Sequence, residues 1–400
     1  MKGAHGSSPL SVPGFKFSGI SSGIKASGEK DLALIYSESP AVTAGVFTKN
    51  KVKAAPLKIA IEHIASRKGQ AVIINSGNAN ACTGDRGLKD AMSVIADTAE
   101  QLDISPELVY AASTGIIGRP LPVHKIKSAV PGLIKNLSTS YIEKAAAAIM
   151  TTDTFPKIYS KKIKIGKDTG TIAGIVKGAG MICPDMATML CFLVTDIAIT
   201  PGALDRALRE AVDQSFNRLA IDNDMSTNDT VMIMANGFLK NKAMTKRSLP
   251  YKKFQHTLND IAYNLAKMIA LDGEGATKLI EVIVKRANTA ADAKKAAHAV
   301  AQSMLVKTAV YGNDPNWGRI IAAVGYSGIE LDERKISISI NKTRLFHRGE
   351  GTNREKSAHK GLAGKEIIIT IDLGAGKESA NALTCDLTEK YIDINAHYTT

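Results

Sequence analysis

The deciding stretch of this sequence is Lys177-Gly-Ala-Gly-Met-Ile-Cys-Pro-Asp-Met-Ala-Thr-Met-Leu-Cys-Phe-Leu-Val194. A glycine-rich turn leads into an apolar run typical of a buried β-strand, and Thr188 lies where the two meet. If the Ala187–Thr188 peptide bond were cut, the new terminus would carry a hydroxyl nucleophile and its own amine. Because a free α-amine titrates at about pH 8, it can accept a proton at neutral pH. By itself, the local pattern favours a plainer interpretation, a β-branched residue that opens a strand.

The composition is that of a globular protein. The chain has 400 residues, of which 44% are hydrophobic and 22% charged, enough for one large or two medium domains. No run approaches the length of a membrane-spanning helix, and the first nine residues lack the apolar core of a signal peptide. The four cysteines have no Cys-x-x-Cys or His-rich spacing. We therefore expect a soluble, cytoplasmic protein with reduced thiols and no metal site.

The net charge of +13 leaves a nucleic-acid-binding protein as one alternative. The densest basic run, Lys161-Lys-Ile-Lys-Ile-Gly-Lys167, alternates like a half-exposed strand, so its lysines are expected on a solvated face. Aromatic residues make up only 5% of the chain and are not interleaved with this run. The stacking surfaces of single-strand binders are therefore missing, and neither a nucleic-acid nor a membrane partner is expected.

Helical and strand-like patterns alternate along the chain, which indicates an α/β or α+β fold. The predicted helices are 88–103, 141–150, 202–216, 254–271 and 291–305. The predicted strands include 71–74, 189–194, 335–340, 366–371 and 390–395. The last of these is predicted because Ile392 and Ile394 alternate with polar residues.

Three further segments carry groups that could serve an acyl-transfer site. Ala111-Ala-Ser-Thr-Gly-Ile-Ile-Gly118 places small residues after a short strand, where backbone N–H groups can face a ligand. Thr151-Thr-Asp-Thr-Phe-Pro-Lys157 and Leu271-Asp-Gly-Glu-Gly-Ala-Thr-Lys278 place hydroxyls and carboxylates beside predicted helices. Each segment is equally compatible with an ordinary turn or helix end.

Within this setting, Lys177–Leu190 resembles the self-cleavage motif of the ornithine acetyltransferase family of arginine biosynthesis, also called bifunctional glutamate N-acetyltransferase. Family-like segments follow one another in matching order across nearly the full length. The resemblance implies a layered, N-terminal-nucleophile-like fold with central β-sheets covered by helices. It also implies cleavage between Ala187 and Thr188 into an α chain, 1–187, and a β chain, 188–400. In the family, two chains of each kind assemble into a heterotetramer.

The resemblance also implies a reaction and a set of residues. Thr188 would carry an acetyl group from N2-acetylornithine to glutamate, while Thr114 and Gly115 form the oxyanion hole. The implied substrate-binding residues are Thr154, with Thr152 as the alternative if the alignment shifts, Lys177, Thr188, Glu274, Asn395 and Thr400. No cofactor is implied, although acetyl-CoA could be a second acetyl donor.

Some segments depart from the family or have no assigned role. Asn223 and Met225 stand where the family commonly has Gly and Thr. No catalytic role is assigned to 75–84, which we expect to shape the loop beside the oxyanion segment, or to 226–230. The nearest enzymatic alternative is an aminopeptidase or amidase on a related self-processing scaffold, in which water replaces glutamate as the acyl acceptor.

Overall fold

The computed structural model describes residues 10–183 and 189–397, which contain two β-sheets covered by helices. The larger sheet has eight strands: β1 (Phe15–Ile20), β2 (Leu32–Phe47), β3 (Lys68–Asn78), β4 (Val109–Ile116), β5 (Lys157–Ile165), β6 (Asp168–Lys177), β7 (Leu190–Thr195) and β8 (Thr230–Ala235). Their order is β4-β3-β2-β8-β7-β6-β5, and β1 pairs with β2. The β3–β4 and β7–β8 pairs are parallel, whereas the other pairs are antiparallel.

The smaller sheet lies in the carboxyl-terminal part of the chain. Its strands are β9 (Leu279–Ala287), β10 (Ser337–Ile340), β11 (Thr343–His347), β12 (Glu350–Gly351), β13 (Glu366–Asp372) and β14 (Glu378–Cys385), in the order β12-β11-β10-β13-β9-β14.

Helices enclose both sheets. The α-helices are α1 (Ala55–His63), α2 (Gly84–Leu102), α3 (Val123–Lys135), α4 (Ile142–Ala148), α5 (Pro201–Asp213), α6 (Tyr251–Leu271), α7 (Ala290–Gln302), α8 (Met304–Tyr311), α9 (Trp317–Gly325), α10 (Glu355–Leu362) and α11 (Glu389–His397). Short 3₁₀ turns cover Ile64–Ser66, Pro106–Leu108, Phe216–Arg218 and Glu333–Lys335. None of the helices in the described residues is both long and apolar enough to cross a membrane.

Strand β7 lies in the middle of the larger sheet because it has no polar face. All six of its residues are buried, as are all six of β8, so both faces of this pair are covered. One face packs on α5 and α6, and the other packs towards α4 and β1. The lysine-rich strand β5 is the opposite case, because Ile163 and Ile165 are buried while Lys161, Lys162 and Lys164 are exposed. The predicted half-exposed strand is confirmed.

The mixed α and β class and the layered arrangement are confirmed, but the predicted strand at 390–395 is wrong. This segment forms α11, which has no buried residue, and Ile392 is 67% exposed. The alternation of isoleucines therefore does not mark a half-buried face. Glu389 in the first turn and His397 in the last turn complement the helix dipole, and Asn395 Nδ2 donates to the Tyr391 carbonyl oxygen at 3.0 Å.

The larger sheet takes strands from both sides of the Ala187–Thr188 bond. Strands β1 to β6 precede this bond, whereas β7 and β8 follow it. Leu190 pairs with Lys177 on one side and with Thr230 on the other. The segments 10–183 and 189–397 therefore share one hydrogen-bonded sheet, and a break in the connection would leave that pairing in place.

Candidate active site

A cavity of about 220 Å³ opens between the ends of β4 and β6, the loops that precede β8 and β9, and α11. Its walls combine residues from before and after the Ala187–Thr188 bond. The polar residues that line it are Thr114, Thr151, Thr152, Lys177, Asp222, Asp224, Ser226, Thr227, Asn228, Glu274, Tyr391 and Asn395. The cavity is therefore polar, with three carboxylates and one lysine on its walls.

The predicted oxyanion segment forms one wall at the end of β4. Thr114 is buried, and Gly115 has φ 129°, a value that L side chains rarely adopt. A Cβ atom at Gly115 would lie 2.4 Å from the carbonyl carbon of Gly77 on the parallel strand β3. Only glycine permits this close approach of the two strand ends, so its presence is explained by backbone packing at the cavity wall.

The Asn228 side chain, for which we predicted no role, stabilises the cavity wall formed by the oxyanion segment. Asn228 Nδ2 donates to the carbonyl oxygens of Ala79, at 2.7 Å, and Ser113, at 2.8 Å. The loop after β3 and the residue before Thr114 are thereby tied to the start of β8. Asn75 also accepts from the Ser113 hydroxyl, which confirms the expectation that its segment shapes this loop. The sequence does contain one signal for Asn228: it lies in a run of polar residues directly before β8, a fully buried strand.

Lys177 ends β6 and reaches the cavity from a buried position. Its side chain is 3% exposed, and its Nζ donates to the Thr151 hydroxyl at 3.0 Å. Burial lowers the pKa of Lys177 below its ordinary value, and the charge of Asp153 offsets this shift only in part. A buried ammonium that donates to a neutral hydroxyl is well suited to receive a carboxylate.

A second lysine lies just behind Lys177 and is fully paired. Lys157 Nζ donates to Asp153 Oδ1 at 2.6 Å and also to Asp272. Asp153 also accepts from the Gly178 N–H at 2.7 Å and from the Thr151 N–H at 2.9 Å. Burial alone would raise the pKa of Asp153, but the charges of Lys157 and Lys177 and the hydrogen bonds from Lys157 and the Gly178 N–H lower it to about 2. This buried cluster fixes the loop after α4 to the turn after β6.

The placement of Thr154 differs from that expected of a ligand contact. Its main-chain N–H donates to Asp272 Oδ2 at 3.0 Å, and its hydroxyl donates to Asp272 Oδ1. The cavity is instead lined by Thr151 and Thr152 of the same loop. A substrate contact by Thr154 therefore stays a prediction, and Thr152 is the member of the pair that already faces the cavity.

Glu274 also lines the cavity, and two glycines beside it have a packing role. A Cβ at Gly180 would lie 2.4 Å from the Glu274 carboxyl group, and one at Gly275 would lie 2.7 Å from the Tyr391 nitrogen. Glu274 N donates to the Ala179 carbonyl oxygen at 3.0 Å. Small residues therefore let the turn after β6, the Glu274 loop and α11 come together.

Helix α11 covers the cavity through two side chains. Asn395 Nδ2 donates to Glu274 Oε2 at 2.8 Å, and the Tyr391 hydroxyl donates to Asp222 Oδ2 at 3.3 Å. Asp222 also accepts the N–H groups of Met181, at 2.6 Å, and Ile182, at 2.7 Å. Burial raises the pKa of Asp222, although these N–H groups favour its ionised form. The carboxyl-terminal helix is thus held over the cavity by polar contacts rather than by a hydrophobic face.

The departure from the family pattern at Asn223 has a structural consequence. Asn223 has φ 69°, a left-handed conformation that asparagine tolerates better than most residues. The substitution of Asn for Gly therefore preserves the turn that carries Asp222 and Asp224. The Met225 carbonyl oxygen accepts from Asn50 Nδ2 at 3.0 Å, a main-chain contact that does not depend on the side chain at 225.

The structure brings five of the predicted site residues together around one cavity: Thr114, Gly115, Lys177, Glu274 and Asn395. Thr188, Ala187 and Thr400 lie outside the described residues. The nearest described position to the predicted nucleophile is Met189, which leads directly into the central strand β7.

Comparisons with known proteins cover nearly the whole chain. A model of the ArgJ family matches residues 16–400. The arginine biosynthesis bifunctional protein ArgJ of Geobacter sulfurreducens is 48% identical over 393 residues, which cover 98% of this chain and all of the relative. Arginine biosynthesis bifunctional protein ArgJ 1 of Clostridium acetobutylicum is 47% identical over 392 residues, which cover 97% of this chain and 96% of the relative.

A solved structure supports the same assignment. The crystal structure of arginine biosynthesis bifunctional protein ArgJ from Bacillus halodurans has 42% sequence identity and a TM-score of 0.51. The match covers 52% of this chain and 98% of that chain. The family model and the full-length relatives together lead to one conclusion: the chain belongs to the ArgJ family and is an enzyme of arginine biosynthesis.

Proposed function

We propose that this enzyme is a self-cleaving acetyltransferase that moves an acetyl group from N2-acetylornithine to glutamate through an acetyl-Thr188 intermediate. One observation carries the proposal. The cavity gathers Thr114, Gly115, Lys177 and Glu274 beside the turn that leads to position 188. These residues supply oxyanion donors, a cation and an anion, which are the groups needed to hold an acetylated amino acid.

In the proposed maturation step, the Thr188 hydroxyl attacks the Ala187 carbonyl carbon. The Ala187–Thr188 amide bond breaks as an ester forms, and water then hydrolyses the ester. The products are a carboxylate at Ala187 and a free amine at Thr188, so that the enzyme consists of chains 1–187 and 188–400. The shared larger sheet supports continued association of the chains after cleavage, because the β6–β7 and β2–β8 pairs join them.

The length of the solved relative supports such cleavage. The match covers 52% of the 400 residues, which is about 208 residues, and these are 98% of that chain. That chain is therefore about 212 residues long. Residues 188–400 number 213, so cleavage before Thr188 would produce a chain of nearly this length.

In the proposed transfer, the Thr188 amine accepts the proton of its own hydroxyl as the oxygen attacks the acetyl carbonyl. The Thr114 hydroxyl and Gly115 N–H donate to the oxyanion, and loss of one such donor typically lowers kcat by about 10²–10³-fold. Ornithine leaves with a proton on its amine, and the amine of glutamate then attacks the acetyl ester. No step requires a metal ion or a nucleotide cofactor.

The remaining polar groups would orient the amino acid. Lys177 would bind its carboxylate and Glu274 its ammonium, while Asn395 and Thr400 would close the site from the carboxyl terminus. Thr152 or Thr154 would contact the ligand from the loop before β5. The term bifunctional in the relatives' names supports a second acetyl donor, and we propose acetyl-CoA for that role. We further propose a heterotetramer of two α and two β chains in the cytoplasm, on the basis of the family resemblance.

Mass spectrometry under denaturing conditions tests the maturation step. The wild-type protein should give two fragments that meet at Ala187 and Thr188, whereas Thr188→Ala should remain one chain without transferase activity. Acetyl transfer by intact, uncleaved protein, or by the Thr188→Ala variant, would exclude this mechanism.

An assay of N2-acetylornithine with and without glutamate separates a transferase from an amidase. A transferase forms acetylglutamate and depends on glutamate, whereas an amidase releases acetate at the same rate in both cases. Acetylation of glutamate from acetyl-CoA alone tests the second donor, and native mass spectrometry tests the four-chain assembly.

A further inference from the structure

The two proposed acetyl donors differ greatly in size and charge. N2-acetylornithine is a small amino-acid derivative, whereas acetyl-CoA also carries a long arm and a nucleotide with several phosphate groups. The cavity has only about 220 Å³, and sites for drug-sized ligands typically have about 300–1,000 Å³. Among the described residues, its charged groups are the carboxylates of Asp222, Asp224 and Glu274 and the ammonium of Lys177, so phosphates inside it would meet mainly like charge. The nucleotide of acetyl-CoA therefore needs a binding site outside the cavity.

A groove begins beside the cavity and runs between α7 and α9. Its nearer part, of about 590 Å³, includes Asn223, which stands between the two aspartates of the cavity. Its farther part, of about 580 Å³, adjoins the nearer one, because Gln302 and Tyr326 line both. Gln302 Nε2 also donates to Cys183 Sγ at 4.0 Å, in the turn that carries the cavity residue Met181. The groove and the cavity therefore meet at two places.

The groove is basic where the cavity is acidic. Among the residues that the structure describes, two lysines and an arginine line it, Lys294, Lys295 and Arg319, and no carboxylate does. Lys294 pairs with Asp213 of α5 at 3.1 Å, whereas Arg319 Nη1 donates to the neutral carbonyl oxygen of Leu305 at 2.9 Å. Lys295 is exposed. The charges of Lys295 and Arg319 are therefore accessible to an anion.

Apolar groups in the same groove suit the rest of the molecule. Tyr326 is 65% exposed directly after α9, and an exposed aromatic ring is a surface on which a nucleobase can stack. Met304 and Leu305, at the start of α8, are also exposed, and both line the nearer part of the groove. They could pack against the arm that joins the nucleotide to the thioester.

We propose that this groove binds the nucleotide of acetyl-CoA, with the adenine on Tyr326 and the phosphates beside Lys295 and Arg319. The arm then passes Asn223, and the acetyl thioester enters the cavity. The inference rests on the proposed function, because it provides a binding site for the second acetyl donor. N2-acetylornithine would fill the cavity alone and would not contact the groove.

A second basic groove lies elsewhere on the surface and provides a matched control. Lys252 and Lys253, at the start of α6, line it together with Lys161. Helix α6 has 21 residues and is therefore about 30 Å long, and only its other end leads to the cavity residue Glu274. A ligand in that groove would be remote from the cavity.

The test compares the KM of both donors in Lys295→Glu, Tyr326→Ala and the control Lys252→Glu, all at exposed positions. Lys295→Glu and Tyr326→Ala should each raise KM for acetyl-CoA by about tenfold, through lost charge attraction and lost stacking. The effect of Lys295→Glu should shrink as salt is added. KM for N2-acetylornithine should stay within about twofold of wild type in both, which also shows that the variants are folded. Lys252→Glu should match wild type with both donors.

Inhibition by adenosine 3′,5′-bisphosphate, the nucleotide portion of CoA, provides an independent measurement. This probe should compete with acetyl-CoA in the acetylation of glutamate and should leave transfer from N2-acetylornithine unaffected. Equal inhibition of both reactions would place the nucleotide in the cavity and overturn the inference.

The kinetic results distinguish failure of this inference from failure of the proposed function. If wild type used acetyl-CoA and KM for acetyl-CoA were unchanged in Lys295→Glu and Tyr326→Ala, the nucleotide would bind elsewhere, and only the inference would be wrong. The same conclusion would follow if Lys252→Glu raised this KM as much as Lys295→Glu did. If wild type formed no acetylglutamate from acetyl-CoA, the second donor and the groove's assignment would both be wrong, whereas transfer from N2-acetylornithine would be tested separately by Thr188→Ala.

Discussion

Two buried lysines at this site differ in what surrounds their charges. Lys157 is fully buried between Asp153 and Asp272, with its ammonium in contact with both carboxylates. Lys177 is also buried, but its Nζ donates to the neutral hydroxyl of Thr151. The first lysine is neutralised by the protein itself, whereas the second presents a charge to the cavity. Burial alone therefore does not distinguish a structural charge from a ligand-binding one.

The largest expected effect comes from breaking the neutralised cluster. Lys157→Met would leave Asp153 and Asp272 buried without their shared cation. Removing one partner of a buried ion pair typically costs about 3–5 kcal/mol, because the remaining charge is uncompensated. We therefore expect the free energy of unfolding, measured by urea denaturation, to fall by about that amount.

The control for this variant lies on the same strand. Lys161 pairs with Asp260 at 2.8 Å, but both side chains are about 40% exposed. Lys161→Met should therefore cost at most about 1 kcal/mol. If the two variants were equally stable, the buried cluster would be worth no more than a surface pair, and the contrast between the two lysines would lose its basis.

The second prediction concerns activity rather than stability. Lys177→Met should lower kcat/KM for acetyl transfer by about 10²-fold, or about 2.7 kcal/mol, because the substrate carboxylate loses a charge-assisted hydrogen bond. Self-cleavage should continue, since the scissile peptide carries no free carboxylate for Lys177 to bind. Steady-state kinetics and denaturing mass spectrometry check the two statements.

The difference in stability between Lys177→Met and wild type should become smaller as pH rises above neutral. Burial lowers the pKa of Lys177 in the folded protein below its ordinary 10.5, so the charged side chain costs stability at neutral pH. This cost is full below the lowered pKa and disappears as pH rises to 10.5. The variant should thus be at least as stable as wild type near pH 7, with the difference shrinking at higher pH. If Lys177→Met were much less stable than wild type at pH 7, Lys177 would be a structural charge, as Lys157 is.

The sequence predicted much of the fold because many elements have clear periodicity. The apolar run that forms β7, the alternating lysines of β5 and the amphipathic α5 were all recognisable. Helix α11 was not, because it is held by Tyr391 and Asn395 through polar contacts and buries no hydrophobic stripe. Periodicity carries no information about such a segment.

The site was predictable to a smaller extent, and for a different reason. Lys177, Glu274 and Thr114 came from the family resemblance, and the structure adds that they line one cavity. No role was predicted for Asn228 because its importance depends on main-chain groups distant in sequence, those of Ala79 and Ser113. A single sequence does not encode such pairings locally. For the same reason, the sequence alone did not decide whether Thr152 or Thr154, in the loop before β5, contacts the ligand.

Substitutions of Thr152 and Thr154, the two threonines of that loop, should have the smallest effects on KM and stability. Each of the two threonines lies near a different one of the two lysines. Thr152 lines the cavity with Lys177, whereas Thr154 donates to Asp272, the partner of Lys157. Thr152→Val should raise KM for N2-acetylornithine by up to about tenfold, the value of one hydrogen bond to ligand, without a change in stability. Thr154→Val should cost about 1 kcal/mol of stability, because Asp272 loses a donor, and should leave KM unchanged.

Kinetics and urea denaturation of both variants decide between the threonines. A rise in KM for Thr154→Val with unchanged stability would restore the original expectation of a ligand contact at Thr154, and would require its hydroxyl to leave Asp272 when substrate binds. In that case Asp272 would exchange a donor during each turnover, and the cluster around Lys157 would take part in binding. The division between a structural lysine and a ligand-binding lysine would then hold only for the enzyme without substrate.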